Sequence, residues 1–441
     1  MKSSNHKSLE EINQSVAVPD VYQSAFWQKF LAYSGPGALV AVGYMDPGNW
    51  LTSLAGGGQF QYRLLSVLAL SILVAMFMQT LAIKLGVVAR QDLAQAIAGQ
   101  LPRPVRYAAW LLNEVAMMAT DMTGVIGTAL ALKMLVNLPL LAGILLTIGD
   151  VLVVLLFLRF GIRRVEVIVL VAILTVGVIF GIEVARAHVN ATSVLAGLVP
   201  NQLIFKNHTA LVLSLGILGA TIMPHNLYLH SSLAQSRRYD YHDPVQVQET
   251  LRFANWDSNV HLIAAFLINA LLLILGGSLF FGHTHALASL QAVFHGLQSS
   301  AVVGTLASPL MGGLFALALL ITGLISSITG TLAGQIVMEG YLHIRLPLWQ
   351  RRLLTRCVTL VPILIIGVLV GFSDQAFENL IIYAQVALSI ALPFTLVPLV
   401  VLTSRQSLMG RHVNGPLVKS VGYALAIIIS LLNVDLIINL F

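Results

Sequence analysis

Met45-Asp46-Pro47-Gly48-Asn49-Trp50 and Ala220-Thr221-Ile222-Met223-Pro224-His225-Asn226 each interrupt a long apolar segment with a proline, and the fold is decided by how they are read. Proline inside a helix removes a backbone hydrogen bond and clashes with the preceding turn. Hydrocarbon offers no water to the freed peptide groups, so irregular backbone survives there only where it lines a cavity. Each break also carries polar side chains: Asp46 and Asn49 in the first, His225 and Asn226 in the second. A pair of interrupted helices with convergent polar groups points to the mid-membrane binding site of a transporter.

The composition agrees with this. Of 441 residues, 57% are hydrophobic and 10% charged, with a mean hydropathy of +0.87. A soluble domain carries about a quarter charged residues. The net charge of +6 and pI near 9.5 raise the question of nucleic acid, but no basic cluster interleaved with aromatics lies on a polar segment, so no nucleic-acid partner is expected. The lone Cys357 forms neither an intramolecular disulfide nor a metal site, and is expected to pack near a helix end. Residues 1–30 are polar and of mixed charge. They lack a signal-peptide core and read as a cytoplasmic tail with a short helix along the membrane.

A spanning helix needs about 20 mostly apolar residues. Candidates fall at 33–57, 62–88, 105–132, 138–158, 164–185, 209–235, 258–282, 309–342, 353–372, 376–403 and 416–440, which predicts an all-α polytopic membrane protein with eleven transmembrane helices. With the N-terminus cytoplasmic, the inner segments hold twenty of the 24 Lys and Arg; only Arg63, Lys133, Arg186 and Lys206 fall outside. That bias supports the count and the orientation, a multi-pass cell-membrane protein with its C-terminus outside, and it explains the pI. The breaks fall in the first and sixth spans. Five spans separate equivalent elements, so the second unit starts on the opposite side: a 5+5 inverted repeat over 31–185 and 209–403, with an eleventh helix at 414–441.

A carboxylate at bilayer depth is costly unless paired or hydrated, which makes Asp46 the sharpest candidate. Pro47 and Gly48 free carbonyls beside it, and Asn49 adds an amide oxygen. These are ligands for a hard or borderline cation, while Asp46 can also cap the second half-helix. Met223 brings a soft thioether, which favours transition metals over Mg²⁺ or Ca²⁺. The carbonyl of Ala220 is released by the same break, because Pro224 has no N–H. His225 and His230 are candidate proton carriers, and His225 is also a plausible metal ligand. Glu114 and Asp121 lie two turns apart on one helix face, with Arg351 and Arg352 as candidate partners, suggesting a proton route or a buried ion-pair network. Gln335 and Glu339 read as interfacial, Asp150 and Glu183 have no assignment, and His283, His285 and His295 read as solvent-exposed in an outer loop.

The Asp46-Pro47-Gly48-Asn49-Trp50 stretch resembles the first-helix signature of Nramp-type divalent metal transporters, and residues 220–226 resemble their sixth-helix signature. The resemblance continues through Glu114–Gly127 and Gly330–Arg356 and covers nearly all of the chain except the tail and outer loops. It implies a LeuT-like fold with broken helices 1 and 6, and proton-driven uptake of Mn²⁺, possibly Fe²⁺, as substrate with no resident cofactor. It implies metal ligation by Asp46, Asn49, the Ala220 carbonyl and Met223. It assigns His225, Glu114, Asp121, Arg351 and Arg352 to proton movement, with His230 as a further step, and places Gln79 and Asn226 along the path. Two departures stand out: the family usually has Glu where this chain has Gly124, and commonly Gln where it has Ala391. They leave open an uncoupled metal facilitator. An amino-acid or sodium symporter on the same architecture has no use for Met beside Asp. An intramembrane enzyme lacks any nucleophile or HExxH spacing. The expected functional unit is a monomeric carrier of divalent metal and protons.

Overall fold

The structure, a computed structural model, describes residues 9, 12–20, 22–150, 152, 156, 161–187, 189–282, 289–344 and 346–440. It is helical almost throughout. Among the described residues nine helices are long and apolar enough to cross a membrane: Leu65–Ala89, Arg103–Val136, Ile162–Arg186, His208–Leu233, Pro244–Leu279, Pro309–Leu342, Trp349–Val370, Asp374–Thr403 and Pro416–Val434. The other two expected spans differ for separate reasons. The first is divided into Pro36–Gly43 and Pro47–Phe60, each too short to span alone. The fourth is seen as Leu140–Gly149 and then passes into residues mostly outside the described set.

Prolines open many of these helices. Pro36, Pro47, Pro224, Pro244 and Pro309 all stand in a first turn, where the missing N–H costs nothing and the fixed φ favours the helix. At Pro244 this corrects the expected seventh span: the helix starts not near 258 but at Pro244, capped by Asp243, and its first turns mix Gln246, Gln248, Glu249 and Arg252 among the apolar residues, which breaks the continuous apolar run a span search follows. The tenth span has a junction that was not expected, with Asp374–Ala391 meeting Pro393–Thr403 at Leu392. Cys357 is exposed on the flank of Leu348–Val370 instead of packed at a helix end.

The Arg103–Val136 and Pro309–Leu342 helices pack along much of their length, and Pro47–Phe60 lies against Pro244–Leu279. Close approach at the second interface depends on Gly57, where a Cβ would sit 2.0 Å from the Leu273 carbonyl oxygen. Trp50 anchors the first break: its ring Nε1–H donates to Met45 O at 3.0 Å, and the indole is wedged edge-on against Phe180 and Phe315. On the tail, Phe26–Tyr33 forms a short helix, and Val16–Ala17 pairs in parallel with Arg237–Arg238.

Candidate metal-binding site

Both breaks are present where proline puts them. Asp46 is extended and caps Pro47–Phe60; its Oδ1 accepts from Asn49 N at 2.9 Å and from Asn49 Nδ2 at 2.8 Å. Its Oδ2 accepts from Gln385 Nε2 at 3.0 Å and Thr123 Oγ1 at 3.4 Å. The capping role and the ligand geometry are therefore compatible, one oxygen to each. In the sixth span, Ile222 and Met223 leave helical geometry between His208–Thr221 and Pro224–Leu233. The Ala220 carbonyl has Pro224 at its i+4 position and gains no helical partner there. Asp46, Asn49, Ala220 and Met223 are all buried.

Gln385 is a contact that sequence reasoning missed. Residue 391, where the family commonly has Gln, is buried at the helix junction, and a second amide reaches Asp46 from residue 385 of the same helix. Nothing in a one-dimensional pattern distinguished Gln385 from its neighbours. Gly48, Ala220 and Gln385 line one cavity of 280 Å³ between the 47–60 and 208–221 half-helices and residues 381–389. Among the described residues there is no cluster of three or more His, Cys, Asp or Glu side chains able to hold a metal.

On the other side of the breaks the polar residues are packed. Asn226 lies against Gly43, whose Cβ position is 2.3 Å from Asn226 Oδ1, and neither amide atom has a partner among the described residues. Gln79 bridges the Tyr44 hydroxyl and His230 Nδ1, both at 2.9 Å. His225 Nδ1 meets Thr120 Oγ1 at 3.2 Å, and Thr123 Oγ1 donates to Thr120 O at 2.8 Å. A chain of contacts thus runs His225–Thr120–Thr123–Asp46.

The expected acid–arginine pairs form. Arg351 bonds Glu114 and also donates to Gly334 O; Arg352 donates to Asp121 at 2.9 Å. Sequence reasoning missed the rest. Arg356 reaches the other Asp121 oxygen at 3.3 Å, and the unassigned Asp150 takes bonds from Arg352 at 3.1 Å, from Ser327 at 2.7 Å and from Arg356. Three arginines face three carboxylates in a buried network of formal charge zero. Glu183 is buried with no hydrogen-bond partner among the described residues. Gln335 and Glu339, expected at the interface, are buried and bonded to each other at 2.6 Å; the second Glu339 oxygen accepts from Leu9 N. His295 is exposed as expected, while His283 and His285 lie outside the described residues.

A second polar cluster, also missed, holds the start of the first half-helix. Asp257 accepts from Gly35 N at 3.0 Å and Gly37 N at 2.7 Å, capping the start of Pro36–Gly43. Arg237 donates to the carbonyls of Ala32, Tyr33 and Ser34 and pairs with Glu166 at 2.7 Å.

The family model described as natural resistance-associated macrophage protein-like (Nramp) matches residues 37–439. A protein of Levilactobacillus brevis named divalent metal cation transporter MntH is 46% identical over 436 residues, covering 99% of this chain and 95% of that protein. The crystal structure of an Eremococcus coleocola manganese transporter, bound to an aromatic bis-isothiourea substituted compound, superposes with a TM-score of 0.91 at 42% identity; the match covers 97% of this chain and 90% of that one. At 16% identity and a TM-score of 0.58, MhsT in complex with L-phenylalanine shares the fold alone, covering 92% of this chain and 98% of its own. Broken helices with the signature residues in place, a match over nearly the whole chain and a LeuT-like fold agree: the chain belongs to the Nramp family.

Proposed function

We propose that the protein is a multi-pass membrane transporter, not an enzyme, that carries divalent transition metal, Mn²⁺ and possibly Fe²⁺, into the cell together with protons. What supports this reading is the set of buried donors carried by the two breaks, the Asp46 carboxylate, the Asn49 amide, the Ala220 carbonyl and the Met223 thioether, with Gly48, Ala220 and Gln385 lining a cavity at the same half-helices. A soft donor next to a single carboxylate suits Mn²⁺ or Fe²⁺ better than Mg²⁺ or Ca²⁺. The names of the relatives, divalent metal cation transporter and manganese transporter, support the same substrate class.

In this reading the repeats span 31–185 and 209–403, the N-terminus is cytoplasmic and the C-terminus outside, and eleven helices cross the bilayer around a monomeric unit. The 47–60 and 208–221 half-helices then face outward, so the 280 Å³ cavity is the outer approach to Asp46. The Arg237–Asp257 cluster is the closed inner side. Metal entering from outside displaces Gln385 and Asn49 from the Asp46 oxygens. Asp46 loses the proton or His225 carries it, and its onward route is Asp121 with the arginine network, with Glu114 and Arg351 further inward. Rocking of the first and sixth helices then opens the inner path past Asn226, Gln79 and His230.

Radiolabelled Mn²⁺ uptake into proteoliposomes, challenged by Co²⁺, Mg²⁺, Ca²⁺ or amino acids, tests the substrate class. Competition by Co²⁺ alone is expected; competition by amino acids would replace this reading with an amino-acid symporter.

A further inference from the structure

A second cavity, of 440 Å³, opens where the end of the Leu65–Ala89 helix meets residues 241–247 and 407–412. Tyr241, His242, Pro244, Ser407, Arg411 and His412 contribute to its wall. Among the described residues no carboxylate or thiol lines it, and two histidines fall short of a metal site. Its charge is positive. Arg411 Nε is 3.2 Å from His412 Nε2, and Lys84 is held nearby by Asn414 at 2.6 Å. Burial, then Arg411 and Lys84, pushes the His412 imidazole below its ordinary pKa, and no carboxylate opposes them. The Arg90 guanidinium lies over the Tyr239 and Tyr241 rings at 5.3 and 5.6 Å, and its buried Nη1 has no hydrogen-bond partner among the described residues. The nearest acids in the chain, Asp240 and Asp243, accept from His242 N and from Val245 N and the Tyr22 hydroxyl, so three cations, Arg90, Lys84 and Arg411, stand against two carboxylates.

Beside this polar cavity the surface turns apolar. Leu417, in the first turn of Pro416–Leu440, is 76% exposed and Tyr241 53%. A cationic hollow with an apolar border at the inner end of a membrane helix bundle has the chemistry of a headgroup site, because the cytoplasmic leaflet carries the anionic lipids.

We propose that this cavity binds a phosphate-bearing anion, and that in the bilayer its occupant is the headgroup of an anionic phospholipid of the cytoplasmic leaflet. The assignment of the leaflet rests on the orientation proposed above. Arg411 and the Ser407 hydroxyl supply donors to the phosphate oxygens, with Arg90 and Lys84 adding to the field. The bound headgroup ties the end of the second span to the segment before the last helix.

The test uses the full chain in detergent, with phosphatidylglycerol and phosphatidylcholine of matched acyl chains as probes and lipid retention read by mass spectrometry. Phosphatidylglycerol is expected to be retained preferentially and to be lost on raising salt. Arg411→Gln should weaken its binding about tenfold, the value of one charge-assisted bond. Arg411→Lys should retain most of it, and Arg405→Gln, whose partner is Gln100, should leave it unchanged. Equal retention of the two lipids, or no effect of Arg411→Gln in folded protein, overturns the site. Inorganic phosphate displacing the lipid at millimolar concentration overturns the lipid assignment and supports a soluble anion. Mn²⁺ uptake by the same protein reconstituted into proteoliposomes separates the two readings: transport without lipid preference removes only this site, and lipid preference without transport removes only the proposed function.

Discussion

At Asp46 the two carboxylate oxygens have different partners. Oδ1 is taken by Asn49, three residues along the chain, and Oδ2 by Gln385 and Thr123, from helices far away in sequence. The local half was legible from the Asp-Pro-Gly-Asn run, because a cap and its N–H groups lie within one turn. The distant half was not, since a lone glutamine in an apolar helix carries no periodic signal. Once displaced from Asp46, the Gln385 amide can turn its unpartnered Oε1 to the metal, so Gln385→Ala should leave the fold intact but raise the KM for Mn²⁺ about tenfold, the value of one polar ligand interaction; an unchanged KM would remove Gln385 from the site. Met223→Ala deletes the soft donor. It should let Ca²⁺ or Mg²⁺ compete for uptake while largely sparing Mn²⁺ transport, and continued exclusion of Ca²⁺ would refute the selectivity argument.

Among the elements, the broken helices could be read from their prolines, while the contacts that hold their halves could not. Asp257 caps Pro36–Gly43 from more than 200 positions away, and Arg237 grips the turn before it through three backbone carbonyls. Polar residues in the first turns of the seventh helix looked like loop, which hid both the early start of that helix and the role of Asp257. Asp257→Asn exchanges charge-assisted bonds for neutral ones, a loss of about 1–2 kcal/mol. The inner half-helix should then open more readily. In a Cys357→Ser background, Ala41→Cys should react with an impermeant thiol reagent from the inner side roughly tenfold faster when Asp257→Asn is added; equal rates would show that the cluster does not hold that half closed. The Gly127 position is a steric counterpart: a Cβ there would lie 2.3 Å from Pro47 Cγ. Gly127→Val should therefore displace the first break and abolish Mn²⁺ binding, measured by isothermal titration, and wild-type affinity would show that the break adapts.

For the molecule as a whole, the division of twenty basic residues against four was enough to predict a polytopic bundle and its orientation. The structure brings the end of the second span, the start of the Pro244–Leu279 helix and residues 407–412 around one cavity. The charge balance of the interior was only half visible. Glu114, Asp121, Arg351 and Arg352 stood out as ionisable residues in apolar helices, but Asp150 and Arg356 acquired a place only when the fourth, eighth and ninth spans met. With Gly124 in place of an acid, Glu114, Asp121 and Asp150 still balance Arg351, Arg352 and Arg356 in charge. The central claim, coupled entry of metal and proton, is tested most directly by Mn²⁺ uptake into proteoliposomes containing a pH-sensitive dye, at several imposed pH gradients. The account predicts internal acidification in step with Mn²⁺ entry, faster uptake with a more acidic exterior, and loss of both in Asp46→Ala. Saturable Mn²⁺ uptake with no acidification and no dependence on the gradient would contradict it and make the protein a metal facilitator.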